Sequence, residues 1–169
     1  MGDLWIICGP AGVGKSTHGR KLAAEKRACL LDSDTITEPV VRAGMELGGL
    51  DPDDRDSPVY RAAFRDPVYE CLFAAAAENL AHTDVIIVGP FTSEIRNSGW
   101  LEELEERFET GVHVVFVTCD ESERKRRVES RGNPRDDLKL RDWDRYLAQS
   151  DTRPPAFEHE RLVSEFLKA

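Results

Sequence analysis

The chain reads as an α/β layered fold on a parallel sheet, and three observations say so. Short apolar runs rich in Ile and Val recur along its 169 residues, helical patterns separate them, and a glycine-rich stretch, GPAGVGKST, follows the first run. Runs that are apolar at nearly every position belong to strands covered on both faces. Strands and helices in alternation give a layered fold with right-handed crossovers. The length suits one domain, 1–169, with a core of useful size.

Taken in order, LWIIC (Leu4 to Cys8) is the first strand and Lys15 to Lys26 the helix after the glycine loop. ACLLD (Ala28 to Asp32) is the second strand. A long helix is expected to open at Asp66-Pro67, as N-cap and first helical residue, and to run to about His82 through Val68, Leu72, Ala75 and Leu80. DVIIVG (Asp84 to Gly89) is the third strand. Leu101, Leu104 and Phe108 mark the apolar stripe of another helix. VHVVFVT (Val112 to Thr118) is the fourth strand. RLVS (Arg161 to Ser164) is read as a weak fifth strand or as helix.

The composition, 40% apolar and 33% charged, is that of an ordinary globular protein. A net charge of -9 argues against nucleic acid or an acidic membrane surface as partner. The N-terminus shows no secretory signal and no apolar run approaches a membrane span. Cys8, Cys29, Cys71 and Cys119 are scattered, without a CxxC pair, and three of them end or open apolar runs. They read as free buried thiols in a reducing compartment, so a cytoplasmic location is expected.

Gly9-x-x-x-x-Gly14-Lys15-Ser16 fits the phosphate-loop pattern without a mismatch, after a strand and opening a helix. Glycines let successive N–H groups turn inward toward phosphate oxygens, and the helix N-terminus adds partial positive charge. Gly9, Gly12, Val13, Gly14, Lys15, Ser16 and Thr17 are therefore the expected triphosphate ligands, with Lys15 on the β/γ-phosphates and the Ser16 hydroxyl on Mg²⁺. No Asn-Lys-x-Asp motif marks a GTPase, so ATP is the expected nucleotide. A motor or AAA-type ATPase usually ends its third strand in an acid, whereas VIIVGPF ends in Gly89-Pro90.

The second strand supplies the acid. Asp32 and Asp34, one residue apart, point the same way on an extended strand end, toward the phosphate loop. One can hold Mg²⁺ through water while the other takes a proton from an attacking hydroxyl. Capping of a helix starting near Thr35 is the structural alternative for either.

Residues 124 to 135 hold six basic side chains and one acid. Arg124 and Lys125 read as a solvated face. Arg127 and Arg131, four apart, share a helix face, and Gly132-Asn133-Pro134 breaks the helix into a loop carrying Arg135. An arginine lid of this kind, about 124–136, neutralises charge on a transferring phosphoryl group and excludes water.

On these three elements, GPAGVGKST, DSDT and RRVESRGNPRD in that order, the chain resembles the small P-loop kinases related to nucleoside monophosphate kinases. Within them it is similar to the group of gluconate and shikimate kinases, chloramphenicol phosphotransferase and the phage polynucleotide 5′-kinase domain. The resemblance covers about Leu4 to Asp136. It implies the three-layer P-loop NTPase fold, with a five-stranded parallel sheet of order 2-3-1-4-5 flanked by helices, and an Arg-rich lid. It further implies Asp34 as catalytic base, Asp32 as a metal- or substrate-side group, Arg127 and Arg131 as lid arginines, and Arg153-Pro154 near the adenine. The sequence departs from the family pattern in lacking an acid after strand three and in a short C-terminal part.

Acceptor-binding residues are expected in about 38–80 and after strand three. Arg61 and Arg65, four apart, can clamp an anionic acceptor, Arg42 can join them, and Thr92, Glu94 and Arg96 follow strand three. Tyr60, Phe64 and Phe91 read as core, and Asp51 to Pro58 as a solvated loop. The expected function is transfer of the γ-phosphoryl group of ATP, with Mg²⁺, to a hydroxyl of a small metabolite. A 5′-hydroxyl polynucleotide kinase and an ATP-gated binding module are the rival readings.

Overall fold

The computed structural model describes residues 1–55 and 57–164. Five strands form one parallel sheet: β1 (Leu4–Cys8), β2 (Cys29–Asp32), β3 (Val85–Val88), β4 (Val112–Thr118) and β5 (Glu160–Val163). Their order is β2-β3-β1-β4-β5, with β1 between β3 and β4. The sheet is the one the resemblance implies, and the weak fifth run is a strand.

The apolar runs follow from burial on two sides. Leu4, Ile6 and Cys8 of β1 point into one core with the side chains of α4 (Asp66–Leu80) and α5 (Trp100–Phe108). Ile7, between them, points the other way, with Val13, Ala23, Ile86 and Val115, under α1 (Lys15–Lys26). Of the cysteines, Cys8 is buried, Cys29 and Cys119 half-buried and Cys71 exposed, so only Cys8 is the buried thiol expected. No helix among the described residues is long and apolar enough to cross a membrane.

Two helix starts differ from expectation. α2 spans Ser33–Leu47, beginning directly after β2, with Asp32 as its N-cap. The helix expected from Asp66 begins earlier. α3 (Pro58–Tyr60), capped by the Ser57 hydroxyl on the Tyr60 amide, runs through a π-turn, Arg61–Arg65, into α4. Asp66 has helical dihedrals (φ -65, ψ -45) and lies within this rod. Pro67 can neither donate a helical hydrogen bond nor fit its ring against the preceding turn. The wider π-turn just before it absorbs that conflict, so Asp66-Pro67 lies inside the rod. Beyond β4 come α6 (Glu121–Ser130), α7 (Asp137–Arg141) and α8 (Trp143–Gln149).

Candidate active site

A cavity of about 1170 Å³ opens beyond the carboxyl ends of the strands. Its floor is the glycine loop. Gly9 (φ +134) crosses β4 so closely that a Cβ would lie 2.4 Å from the Val117 carbonyl oxygen. Gly14 caps α1 in the left-handed region (φ +96), turning the chain into the helix. Gly12, Gly14, Lys15, Ser16 and Thr17 line the cavity. Gly9 and Val13 do not: Gly9 packs on the sheet, and the Val13 side chain lies in the core.

Lys15 Nζ donates to the Pro10 carbonyl at 2.8 Å. Burial brings its ammonium down to about 8, although the charge of Asp34 opposes the fall. The site thus holds a cation that a phosphate group would stabilise.

Asp32 and Asp34 both line the cavity, but not as two positions of one strand end. Asp32 closes β2, and its Oδ1 accepts from the amides of Asp34 and Thr35 at 3.1 and 3.2 Å. Its Oδ2 is buried with no hydrogen-bond partner among the described residues. A carboxylate oxygen left without a donor suits a cation or its bound water, so Asp32 caps the helix and still fits a metal-side role. Asp34 stands in the first turn of α2, where its Oδ1 accepts from Arg135 Nη1 at 3.2 Å. Burial works against its ionisation. The Arg135 guanidinium, with Lys15 and Arg131 behind it, outweighs burial and holds the carboxyl below the ordinary carboxylate range.

The arginine segment is tied down at each position. Arg127 donates to Glu123, to the Val13 carbonyl of the loop at 3.1 Å and to the Ser164 hydroxyl at 2.7 Å. Arg131 pairs with Asp136, a fully buried carboxylate that Lys139 also contacts at 3.2 Å. Arg127, Arg131 and Arg135 all line the cavity.

Arg124 corrects the sequence reading. It is buried, not solvated: Nε donates to the Ala11 carbonyl at 2.8 Å, Nη2 to the Tyr146 hydroxyl at 3.0 Å, and its guanidinium lies over the Trp143 and Tyr146 rings. Arg124, Arg127, Val128 and Arg131 recur at helical spacing, a pattern that groups Arg124 with the other two. Tyr146 and Asp136 carried no comparable signal.

On the acceptor side, Arg61, Arg65 and Thr92 line the cavity. Arg65 donates to Glu94 at 2.9 Å and to Thr92 Oγ1 at 3.4 Å. Phe91 is core as expected, yet holds left-handed backbone (φ 46) with its amide donating to the Tyr69 hydroxyl at 3.3 Å. Tyr60 is not core: its ring stacks on Phe64 and lines the cavity. Two further arginine candidates stand apart from the cavity lining. Arg42 pairs with Asp53, and Arg153 extends an exposed side chain to Asp151.

A family model, AAA_33 (AAA domain), matches residues 4–152. The chain belongs to this family. Its third strand, Val85–Val88, is followed by Gly89-Pro90 all the same, and the acids beside the phosphate loop are Asp32, closing β2, and Asp34, in the first turn of α2. No curated protein matches the chain.

Solved structures share the fold of this AAA_33 chain. A structure from Chloroflexus aurantiacus J-10-fl is 19% identical, with a TM-score of 0.65 over 96% of this chain and 84% of that one. A gluconokinase from Sinorhizobium meliloti 1021 is 18% identical, with a TM-score of 0.52 over 96% and 81%. A shikimate kinase from Acinetobacter baumannii, solved with shikimate, is 18% identical, with a TM-score of 0.52 over 100% and 86%.

Proposed function

We propose that this protein is an ATP-dependent phosphotransferase that moves the γ-phosphoryl group to a hydroxyl of a small metabolite. The observation that carries the reading is a single cavity lined by both a phosphate loop and an ionised carboxylate, Asp34, with arginines on its walls. The structural likeness to a gluconokinase and a shikimate kinase, enzymes named for small hydroxylated acids, supports the acceptor class.

In this reading, Gly12, Gly14, Lys15, Ser16 and Thr17 hold the phosphates of ATP. Ser16 and Asp32 would hold Mg²⁺, which supplies charge neutralisation on the phosphates when bound. The acceptor hydroxyl gives its proton to Asp34 as its oxygen bonds to the γ-phosphorus, and the bond to the bridging oxygen breaks to release ADP. A carboxylate of low basicity suffices, because proton transfer lags bond formation to phosphorus in a loose transition state. Lys15, Arg127 and Arg131 neutralise the moving phosphoryl group. Arg61, Arg65, Thr92 and Arg135 orient the acceptor.

The test is incubation with γ-labelled ATP and Mg²⁺ against pools of nucleosides, sugar acids, aminoglycosides and a 5′-hydroxyl oligonucleotide. Label in one phosphorylated small molecule supports the proposal. Label only in the oligonucleotide would replace it with a polynucleotide kinase, and label only in free phosphate with an ATP-gated module.

A further inference from the structure

Asp34, Glu38 and Arg42 recur every four residues on α2, so they form three rungs on one face of the helix. Two distant segments land on these rungs. Arg135, from the turn at the end of the lid, donates through one nitrogen to Asp34 at 3.2 Å and to Glu38 Oε2 at 2.8 Å. Arg55, from the loop between α2 and α3, donates to the other oxygen, Glu38 Oε1, at 2.9 Å. Asp53 of that loop pairs with Arg42. Glu38 is the rung that both segments share.

The two bonds to Glu38 are well shielded. The Arg55 and Arg135 side chains are only 10% and 13% exposed. Both guanidiniums bond the Glu38 carboxylate. Arg55's other side-chain hydrogen bonds among the described residues go to carbonyls of its own loop, Pro52 and Asp54. Its cation also lies over the Tyr60 ring on the acceptor wall, 5.2 Å from the centroid. Two guanidiniums meeting at one carboxylate repel each other unless its charge stands between them. The loop read from sequence as merely solvated is thus fastened to the lid through one residue.

We propose that Glu38 is a positioning residue: its carboxylate joins the lid turn to the 51–55 loop, so that the lid and the acceptor wall shift as one unit. The functional consequence rests on the phosphotransferase reading, while the mechanical linkage does not. Under that reading, Glu38 also shares Arg135 with Asp34, which keeps the guanidinium from closing fully on the candidate base.

The test is amide hydrogen exchange in the free protein, comparing wild type with Arg55→Met, Arg135→Met and Glu38→Gln. The probes are Arg135 and Asp136 in the lid turn and Asp53 and Asp54 in the loop. Linkage predicts crossed effects: Arg55→Met speeds exchange in the lid turn, and Arg135→Met speeds it in the loop, each by about tenfold, the scale of an ordinary coupled pair. Glu38→Gln speeds both, and adding Arg55→Met to it leaves the lid turn unchanged. Effects confined to each variant's own segment, or additive with Glu38→Gln, would overturn the proposal. If Glu38→Gln lowers global stability, the two arginine variants carry the test alone. In the labelled-phosphate assay, Glu38→Gln should raise the acceptor KM severalfold and leave ATP affinity within about twofold; loss of ATP affinity alone contradicts the positioning role. Absence of any phosphorylated product would sink the phosphotransferase reading and leave the exchange result standing by itself.

Discussion

Lys15 gives the sharpest physical prediction, because its charge is held where the protein alone stabilises it poorly. Burial lowers its ammonium from 10.5 to about 8. Between those values the unfolded chain binds more protons than the folded one, so stability rises with pH across the window from about 8 to 10.5. Below the window the buried charge costs its full amount. At ~1.4 kcal/mol per tenfold, the fall sets an upper bound of about 3 kcal/mol. Lys15 is only half-buried by area, so solvent screening brings this to about 2 kcal/mol. Lys15→Met keeps the unbranched stem and removes the charge, but loses the hydrogen bond to the Pro10 carbonyl, about 1 kcal/mol. The net expectation at pH 7, without nucleotide, is a gain of about 1 kcal/mol, or roughly 2–4 °C in Tm for a domain of this size. Melting curves followed by circular dichroism at pH 7 and pH 9.5 test it. The gain should shrink or reverse at pH 9.5, and stabilisation by ATP should disappear in the variant. A Lys15→Met protein that melts below wild type at pH 7, or by the same margin at both pH values, refutes the reasoning.

Three further outcomes follow from the site. Asp34→Asn should lower kcat by about 10²- to 10⁴-fold, the range of general-base removal, while calorimetry shows ATP affinity within about twofold. Asp32→Asn keeps an N-cap of equal quality but removes the charge from the unpartnered oxygen. Its Tm should therefore stay within about 2 °C of wild type, while Mg²⁺-dependent enhancement of ATP binding, measured by titration with and without the metal, falls severalfold. Arg124→Met leaves the Ala11 carbonyl and the Tyr146 hydroxyl without their donor and should cost about 2–3 kcal/mol in urea denaturation; a cost near zero would return Arg124 to the solvated face.

The parts of this molecule legible in sequence are those fixed by local chemistry. Leu4–Cys8 and Val112–Thr118 announce themselves because both faces of a central parallel strand are buried, and GPAGVGKST because only a glycine-rich turn lets the chain pass Val117 so closely. The start of the long helix was less legible. Asp66-Pro67 and Ser57-Pro58 are equally good local signals, and the choice between them depends on a π-turn that no spacing rule encodes. The cavity was half legible for a related reason. Asp32, Asp34 and Lys15 lie within motifs, whereas Glu38 and Arg55 acquire meaning only when distant segments meet. Arg42 and Arg153 show the converse: each looks chemically suitable in sequence, yet each is engaged by an aspartate and stands outside the cavity lining.

The central claim, that the cavity transfers phosphoryl groups to a hydroxyl, is tested most directly by partition in a single turnover. With enzyme in excess over γ-labelled ATP and a metabolite pool present, the label should appear in an organic phosphate in wild type, and that product should fall at least 100-fold in Asp34→Asn. Label recovered only as inorganic phosphate, at the same rate in both proteins, would contradict the account.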